Sequence, residues 1–242
     1  MTLLYNEIPA RESQFRDQLR DAYGKVFTES ESEVIKGAIR LHHANDNWYY
    51  KTKSEKEKIV IHFTAGILHG DIGELTRDTK VSVSYTLARN GDLYELFPPD
   101  FWSYHLGRGA SGGNTQMSRG SIGIEISNFG PLTLDEEAGI LKTWSGKGYC
   151  ALSQKEAYVY VPDGFRGHHY YATFTREQYQ RLDSLLTNLC REYNIVRKLP
   201  KVQERAKKIT GNPGKGIWSH QNFTERKNDI GPAFDWSLIS GR

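Results

Sequence analysis

The sequence predicts an α/β fold in which a mixed central β-sheet is flanked by helices. Two short apolar stretches, at residues 59–66 and 121–127, have the composition of buried strands. Between them, VSVSYTLA and RNGDLYELF surround an Asn90-Gly91 dipeptide, a strong short-range signal of a β-hairpin. The segment FTREQYQRLDSLLTNLCREYNI carries apolar residues at helical spacing. Because strands and helices alternate irregularly and include one hairpin, a mixed sheet covered by helices is the natural architecture.

The N-terminal part predicts a helix followed by a strand. Residues 10–27 place Phe15, Leu19 and Tyr23 four apart, on one face of a helix. Residues 34–50 are expected to form a strand and a loop. The charged segment KTKSEKEK then leads into the first apolar strand, which Gly66 ends.

The clearest helix spans residues 174–195. Thr175 and Gln178 predict a capping box at its start. The stripe of apolar side chains along it predicts core packing; it consists of Tyr179, Leu182, Leu185, Leu186, Leu189 and Tyr193. A basic and then Gly/Pro-rich loop at 197–216 follows the helix.

We predict one main domain with two additions. Residues 1–50 form an N-terminal extension, a helix plus a strand, packed on the core. The domain itself covers residues 51–242. Residues 131–172 carry turn signals and aromatic strands, and we interpret them as an insertion into that domain.

Composition and charge argue against two classes of function. The net charge of +3 is too small to indicate nucleic-acid binding, and the chain carries no Arg/Lys-rich arm. No apolar run approaches the ~18 residues of a membrane span, so we expect no stable membrane insertion. Cys150 and Cys190 are isolated and are expected to be buried and reduced. The first residues lack the pattern of a Sec signal, which predicts synthesis in the cytoplasm.

Two polar side chains interrupt the apolar strands. Strand alternation places His62 on the face opposite Ile61, and Glu125 on the face opposite Ile124. A single histidine in a strand is compatible with a purely structural role. A glutamate in the middle of an apolar strand is costly to bury unless it is paired or takes part in chemistry. Gly123 beside it is expected to leave room above its carboxylate.

The segment IWSHQNFTERKNDIGPAFDW holds His220, Lys227 and Asp229 within ten residues. An imidazole nitrogen and a carboxylate oxygen both suit zinc, and catalytic zinc takes three protein ligands and keeps one open position. A distant ligand such as His62 would complete that set. The bare pattern is also compatible with a charged surface loop.

Several motifs resemble one enzyme family when they are taken together. They are IVIHFTAG, VSVSYTLARNGDLYELF, SYHLG, Asn114 six residues before SIGIEI, FTREQY and SHQNFTERKNDIGPAFDW. Their order and content are similar to the zinc-dependent N-acetylmuramoyl-L-alanine amidases, the group that includes T7-type lysozyme and the peptidoglycan recognition proteins. The resemblance covers about residues 59–130 and 173–236.

The resemblance implies a site in a surface cleft at one face of the sheet. It implies that His62, His220 and Asp229 bind Zn²⁺, that Glu125 is the catalytic base and that Lys227 stabilises the oxyanion. His105, Thr64 and Asn114 are then expected to contact substrate. The implied reaction is hydrolysis of the amide bond between N-acetylmuramic acid and L-alanine. Peptidoglycan, which contains this bond, would then be the partner of this chain.

Two features depart from the family pattern. Val83 and Ser84 stand where many relatives carry Tyr-His or Ala-His, so an assisting tyrosine is absent and Glu125 is the one candidate base. The insertion also exceeds what the family core needs. Its aromatic residues suit a substrate groove or an ordinary packed hairpin; they are Trp144, Tyr149, Tyr158, Tyr160, Phe165, Tyr170 and Tyr171.

We expect a monomeric phage or prophage endolysin that is made in the cytoplasm and acts at the bacterial cell wall. Two alternatives remain. One is a non-catalytic peptidoglycan-binding module, against which the metal ligand at Asp229 argues. The other is a cytosolic amidase that recycles soluble muropeptides.

Overall fold

The computed structural model describes residues 3–23, 35, 37–42 and 45–239, and within these ranges the chain forms two β-sheets and four α-helices. The six strands of the central sheet are β1 (Ala38–Arg40), β2 (Lys58–Phe63), β3 (Tyr85–Leu87), β4 (Leu93–Glu95), β5 (Ser121–Ile126) and β11 (Gly216–Ser219). The helices are α1 (Leu4–Tyr23), α2 (Leu68–Leu75), α3 (Asn114–Arg119) and α4 (Arg176–Glu192). This mixed sheet with helices packed on it confirms the predicted fold class.

The order of strands across the central sheet is β1-β4-β3-β5-β2-β11. Neighbouring strands run parallel except β3 and β4, which form the hairpin predicted around Asn90-Gly91. Gly91 takes a φ of 88°, the left-handed conformation that makes glycine the favoured residue in such a turn. The hairpin is shorter than the predicted 81–97, because the amide of Ser82 donates to the Tyr104 carbonyl instead of to the hairpin partner.

Helix α4 covers one face of the central sheet. Its predicted cap is confirmed: Thr175 Oγ1 accepts from the Gln178 amide at 3.1 Å, and Gln178 Oε1 accepts from the Thr175 amide at 3.0 Å. The fully buried residues between α4 and the sheet include Ile59, Ile61, Ile122, Ile124, Leu182, Leu186 and Leu189. Removing these apolar side chains from water stabilises the fold by about 25 cal/mol per Å² of buried surface.

Helix α1 begins at Leu4, six residues before the predicted start, and continues through Pro9. Leu4 and Ile8 are buried against the second sheet, and this packing holds the turn that precedes the proline. Buried Glu12 accepts hydrogen bonds from the amides of Arg89 and Asn90, so α1 is fixed to the hairpin turn. Residues 24–27 of the predicted helix lie outside the described residues. Among the described helices, none combines the length and apolarity needed to cross a membrane.

Residues 131–172 fold as a second, antiparallel sheet with the order β8-β7-β6-β10-β9. Its strands are β6 (Pro131–Asp135), β7 (Ile140–Lys142), β8 (Gly148–Ala151), β9 (Tyr158–Phe165) and β10 (His168–Ala172). Leu132, Leu141 and Tyr149 form a separate core beneath α1. Cys150 of this sheet and Cys190 of α4 are buried and free, as predicted.

The second sheet leaves and rejoins the main chain at adjacent points. The Asn128 side-chain amide donates to the carbonyls of Ala172 and Thr173 at 3.2 and 2.9 Å, and the Ala172 amide donates to the Gly130 carbonyl at 2.9 Å. Gly130 has a φ of 67°, and a Cβ there would lie 2.4 Å from the Phe63 ring. Only glycine fits at this junction.

Helix α2 buries a carboxyl group behind the polar face of the central sheet. Asp71 is 8% exposed, and its Oδ2 accepts from Ser127 Oγ at 3.2 Å. Burial raises the pKa of Asp71 to about 6, although hydrogen bonds from Thr64 and Ser127 favour the charged form. Gly66 leaves room for this carboxyl, because a Cβ at that position would lie 2.2 Å from Asp71 Oδ1 and would displace it.

Replacing Asp71→Asn should stabilise the protein at neutral and alkaline pH. Because its pKa is higher in the folded state than in the unfolded chain, Asp71 contributes favourably below about pH 4 and this contribution is lost as the pH rises through about 6. The cost of the charged form above that window is on the order of 2–3 kcal/mol. Urea unfolding of both proteins at pH 4 and pH 8 measures the difference.

The exposed Asp163→Asn variant is the matched control, and its free energy of unfolding should follow the wild type at both pH values. If Asp71→Asn follows the wild type as well, the buried carboxyl does not carry this cost.

Candidate metal centre and active-site cleft

The carboxyl ends of three parallel strands bring the candidate site together. Strand β2 lies between β5 and β11, and the register pairs His62 with Glu125 and Ile61 with Ser219. His62 and Glu125 therefore project from the same face, opposite α4, and His220 follows directly after the end of β11. Ligands of open α/β sheets commonly bind beyond such carboxyl ends.

His62, His220 and Asp229 converge on one point. His62 Nδ1 lies 2.9 Å from His220 Nδ1 and 3.2 Å from Asp229 Oδ2, and His220 Nδ1 lies 2.9 Å from the same oxygen. All three side chains are buried, and one donor atom from each falls within 4.8 Å of the others. Within the ranges that the structure describes, this is the one group of three such residues able to hold a metal ion.

Hydrogen bonds fix which ring nitrogen of each histidine faces the convergence point. His220 Nε2 lies 3.1 Å from the Leu106 carbonyl, which can only accept, so Nε2 carries the proton and Nδ1 is free. His62 Nε2 lies 3.0 Å from His105 Nδ1, and His105 Nε2 lies 3.0 Å from Ser121 Oγ. Ser121 Oγ donates its proton to the Met117 carbonyl at 2.6 Å.

The direction of this chain of hydrogen bonds follows from its end. Because Ser121 donates to the carbonyl, its oxygen accepts from His105 Nε2–H, and His105 Nδ1 accepts from His62 Nε2–H. His62 Nδ1 is then left without a proton. Neutral histidines that hold their second nitrogen in this way are the usual form of metal ligands.

The protonation states of the site suit a cation. Burial and then the neighbouring His220 ring lower the pKa of His62 to about 4, so the ring is neutral at pH 7. Burial alone would raise the pKa of Asp229, but the His220 and His62 rings together hold it well below its usual range. Two imidazoles and a carboxylate match the donor set of a catalytic zinc, with one coordination position left open.

Glu125 lies beside these donors with an unmet hydrogen-bonding capacity. Its Oε2 is buried and has no hydrogen-bond partner among the described residues. Burial raises the pKa of Glu125 well above its usual range, Asp229 and Asp71 raise it further, and Lys227 opposes them. A buried oxygen without a partner is costly, and an additional group in the site would satisfy it.

The loop that carries Lys227 and Asp229 is held in place by two hydrogen bonds to backbone carbonyls. The Gln221 amide donates to the Asp229 carbonyl at 2.8 Å, and Thr224 Oγ1 donates to the Leu106 carbonyl at 2.6 Å. Lys227 lines two cavities, one shared with His220 and the other with Asp229. The ammonium group of Lys227 and the carboxyl of Glu125 therefore lie in the same cleft.

The predicted substrate contacts lie in two halves of the cleft. A cavity of about 840 Å³ on one side includes His105 and Asn114 in its lining, together with the glycine-rich loop. We name this the loop half. On the other side, cavities of about 410 and 550 Å³ share Thr64, Glu125 and Trp144 in their linings. We name this the sheet half, because Trp144 belongs to the second sheet.

Gly123 and His105 differ from what the sequence predicts. Glu125 does line open cavities, as expected, but the space directly at Gly123 is filled, since a Cβ there would lie 2.8 Å from Val83 Cγ1 and 3.3 Å from His105 Cγ. Both ring nitrogens of His105 are engaged by His62 and Ser121, a connection that sequence spacing does not reveal. Its contact with substrate stays a prediction, as do those of Thr64 and Asn114.

Comparisons with known proteins identify a family to which this chain is similar. The family model described as N-acetylmuramoyl-L-alanine amidase (Amidase_2) matches residues 39–232. No match is found among curated protein sequences.

Several solved structures are similar to this chain. AmpD is 18% identical, with a TM-score of 0.49 over 88% of this chain and 96% of its own. AmiD from E. coli, solved with anhydro-N-acetylmuramic acid-L-Ala-D-gamma-Glu-L-Lys, is 23% identical, with a TM-score of 0.47 over 89% of this chain and 65% of its own. The endolysin LysCS from Clostridium intestinale is 13% identical, with a TM-score of 0.44 over 83% of this chain and 90% of its own.

The family match covers both strands that carry His62 and Glu125, and also the loop that carries His220, Lys227 and Asp229. Because it spans most of the sequence, the chain belongs to the N-acetylmuramoyl-L-alanine amidase family.

Proposed function

We propose that this amidase uses Zn²⁺, held by His62, His220 and Asp229, to hydrolyse the bond between N-acetylmuramic acid and L-alanine in peptidoglycan. The observation that carries the proposal is the convergence of the three donor atoms within 4.8 Å, in a cleft also lined by Glu125 and Lys227. A structural zinc site would close all four positions with protein ligands, whereas three donors leave one for chemistry.

When bound, Zn²⁺ would polarise the scissile carbonyl and lower the pKa of the attacking water. Glu125 accepts a proton from that water and returns it to the nitrogen of the departing L-alanine. Its buried Oε2 has no hydrogen-bond partner among the described residues and can hold the proton between the two steps. Lys227 places a positive charge near the oxyanion that forms on the carbonyl oxygen, and such a charge contributes about 3 kcal/mol.

Two other functions are weighed against this one. A non-catalytic peptidoglycan-binding module would need neither a metal donor at Asp229 nor a buried base, and the complete donor set favours the enzyme. A recycling amidase and a wall-lysing endolysin would share the same chemistry. We propose action at the cell wall.

Digestion of purified sacculi tests the reaction. The wild type should release new L-alanine amino termini, detected by mass spectrometry, and His220→Ala should release none because it loses a metal donor. Glu125→Gln is the matched variant: it should keep its zinc, measured by elemental analysis, while its rate falls at least about 100-fold.

New reducing sugar ends in place of L-alanine termini would show a glycosidase. A wild type that purifies with zinc and binds sacculi but releases no termini would be a binding module. Full activity of Glu125→Gln would remove Glu125 from the role of base.

We also propose that His105 positions His62 for metal binding. Its Nδ1 accepts from His62 Nε2–H, and Ser121 fixes the ring from the other side. Groups that orient a metal ligand in this way typically contribute a factor of about 10–100 in metal affinity.

His105→Phe should therefore weaken zinc binding by about 10–100-fold, measured by competition with a chromophoric chelator. His168→Phe is the control, because His168 lines the sheet half without a hydrogen bond to the metal donors. If His105→Phe binds zinc normally and changes only KM, His105 acts as a substrate contact alone.

A further inference from the structure

A tryptophan stands at the rim of the sheet half of the cleft. Trp144 lies in the turn between β7 and β8 and is 75% exposed, although tryptophan is usually largely buried. Its Nε1 donates to the Ala65 carbonyl at 2.7 Å. The indole is thus fixed by its one polar atom, and its ring faces remain open to a ligand.

The turn that presents Trp144 is built before any ligand binds. The Thr143 amide donates to the Lys147 carbonyl at 2.9 Å, and Thr143 Oγ1 lies 3.0 Å from Ser145 Oγ. Gly146 closes the turn with a φ of 78° and donates its amide to the Thr143 carbonyl. A ring held in this way loses little conformational entropy when it binds a partner.

Trp144 lies close to the reacting centre. It lines the cleft together with Thr64 and Glu125, and the carbonyl it binds belongs to Ala65, three residues after the metal donor His62. A substrate whose scissile bond sits at the metal donors would therefore extend one of its two parts past the indole.

The side chains that line the two halves of the cleft indicate which part of the substrate, the sugar or the peptide, extends past Trp144. The loop half is lined by polar and cationic groups, among them Arg108, Asn114 and Gln116, which suit the carboxylates of a peptide. The sheet half also has polar residues in its lining, such as His168 and Arg226, but it alone carries Phe129 and Pro131 beside Trp144. An aromatic face without a free polar atom suits the C–H face of a pyranose ring, which buries apolar surface against it.

We propose that Trp144 is a stacking platform for the sugar ring of the muramyl part, and that the second sheet supplies the sugar-binding half of the cleft. The proposal rests on the proposed function, because the metal donors and Glu125 are taken to mark the scissile bond. The peptide then occupies the loop half.

Isothermal titration with two separate probes tests the platform without any turnover. The probes are the disaccharide of N-acetylglucosamine and N-acetylmuramic acid, and the free stem peptide. Trp144→Ala should raise the Kd for the disaccharide about tenfold or more, as expected for the loss of a central aromatic contact. It should leave the Kd for the peptide unchanged. Trp144→Phe keeps a ring face and should lose less affinity.

Tyr160→Ala is the matched control. Tyr160 is an exposed aromatic residue, 53% accessible, on β9 of the same sheet and outside the lining of these cavities. It should bind both probes as the wild type does. Steady-state kinetics on a disaccharide-peptide add an independent measure: Trp144→Ala should raise KM with little change in kcat.

Three results would contradict the stacking proposal. They are no disaccharide binding to the wild type, an unchanged disaccharide Kd for Trp144→Ala, or an equal rise in Kd for the disaccharide and the peptide. The urea midpoint of Trp144→Ala, which should equal that of the wild type, separates a lost contact from a misfolded sheet. If the disaccharide binds in a Trp144-dependent way but the wild type cleaves no amide, the proposed function fails and the sugar site stands.

Discussion

The parallel pairing of β2 with β5 and with β11 is the constraint on which the site depends. It sets His62 beside Glu125 and starts the His220 loop at the same edge of the sheet. In a strand pairing, a slip of one residue would turn every side chain to the opposite face. His62 and Glu125 would then point into the apolar layer under α4, so the core residues Ile61 and Ile124 specify the site as much as its polar groups do.

Burial is what gives the polar groups of the site their chemical character. Removed from water, the His62 ring stays neutral, burial raises the pKa of Glu125, and the neighbouring His220 and His62 side chains lower the pKa of Asp229. In solvent these three side chains would have ordinary properties. Burying these polar groups lowers the stability of the fold, and a bound cation would compensate the negative charge that water no longer solvates.

Much of this arrangement is readable in the sequence, because it follows from local rules. Strand alternation places His62 and Glu125 on the polar face, Asn90-Gly91 makes the hairpin, and Thr175 with Gln178 caps α4. The approach of His220 and Asp229 to His62 was inferred from the resemblance to a family, since neither spacing nor periodicity carries long-range contacts.

Other features depend on contacts between distant segments and could not be predicted. The start of α1 before Pro9 is decided by packing against the second sheet. The orientation of His105 is decided by Ser121, sixteen residues away. Trp144 is one of the aromatic residues for which the sequence allows a groove or a packed hairpin, and its bond to the Ala65 carbonyl places it beside the cleft.

The junction at Asn128 has a consequence for how this family can diversify. The second sheet begins directly after Gly130 and ends at Ala172, and the Ala172 amide donates to the Gly130 carbonyl. The ends of this segment are thus held together between β5 and α4, whatever its length. A segment with joined ends adds little closure entropy when it is lengthened or replaced. Lengthening a turn of this sheet would therefore leave the ends of β5 and α4 in place while changing how far the cleft extends along its substrate.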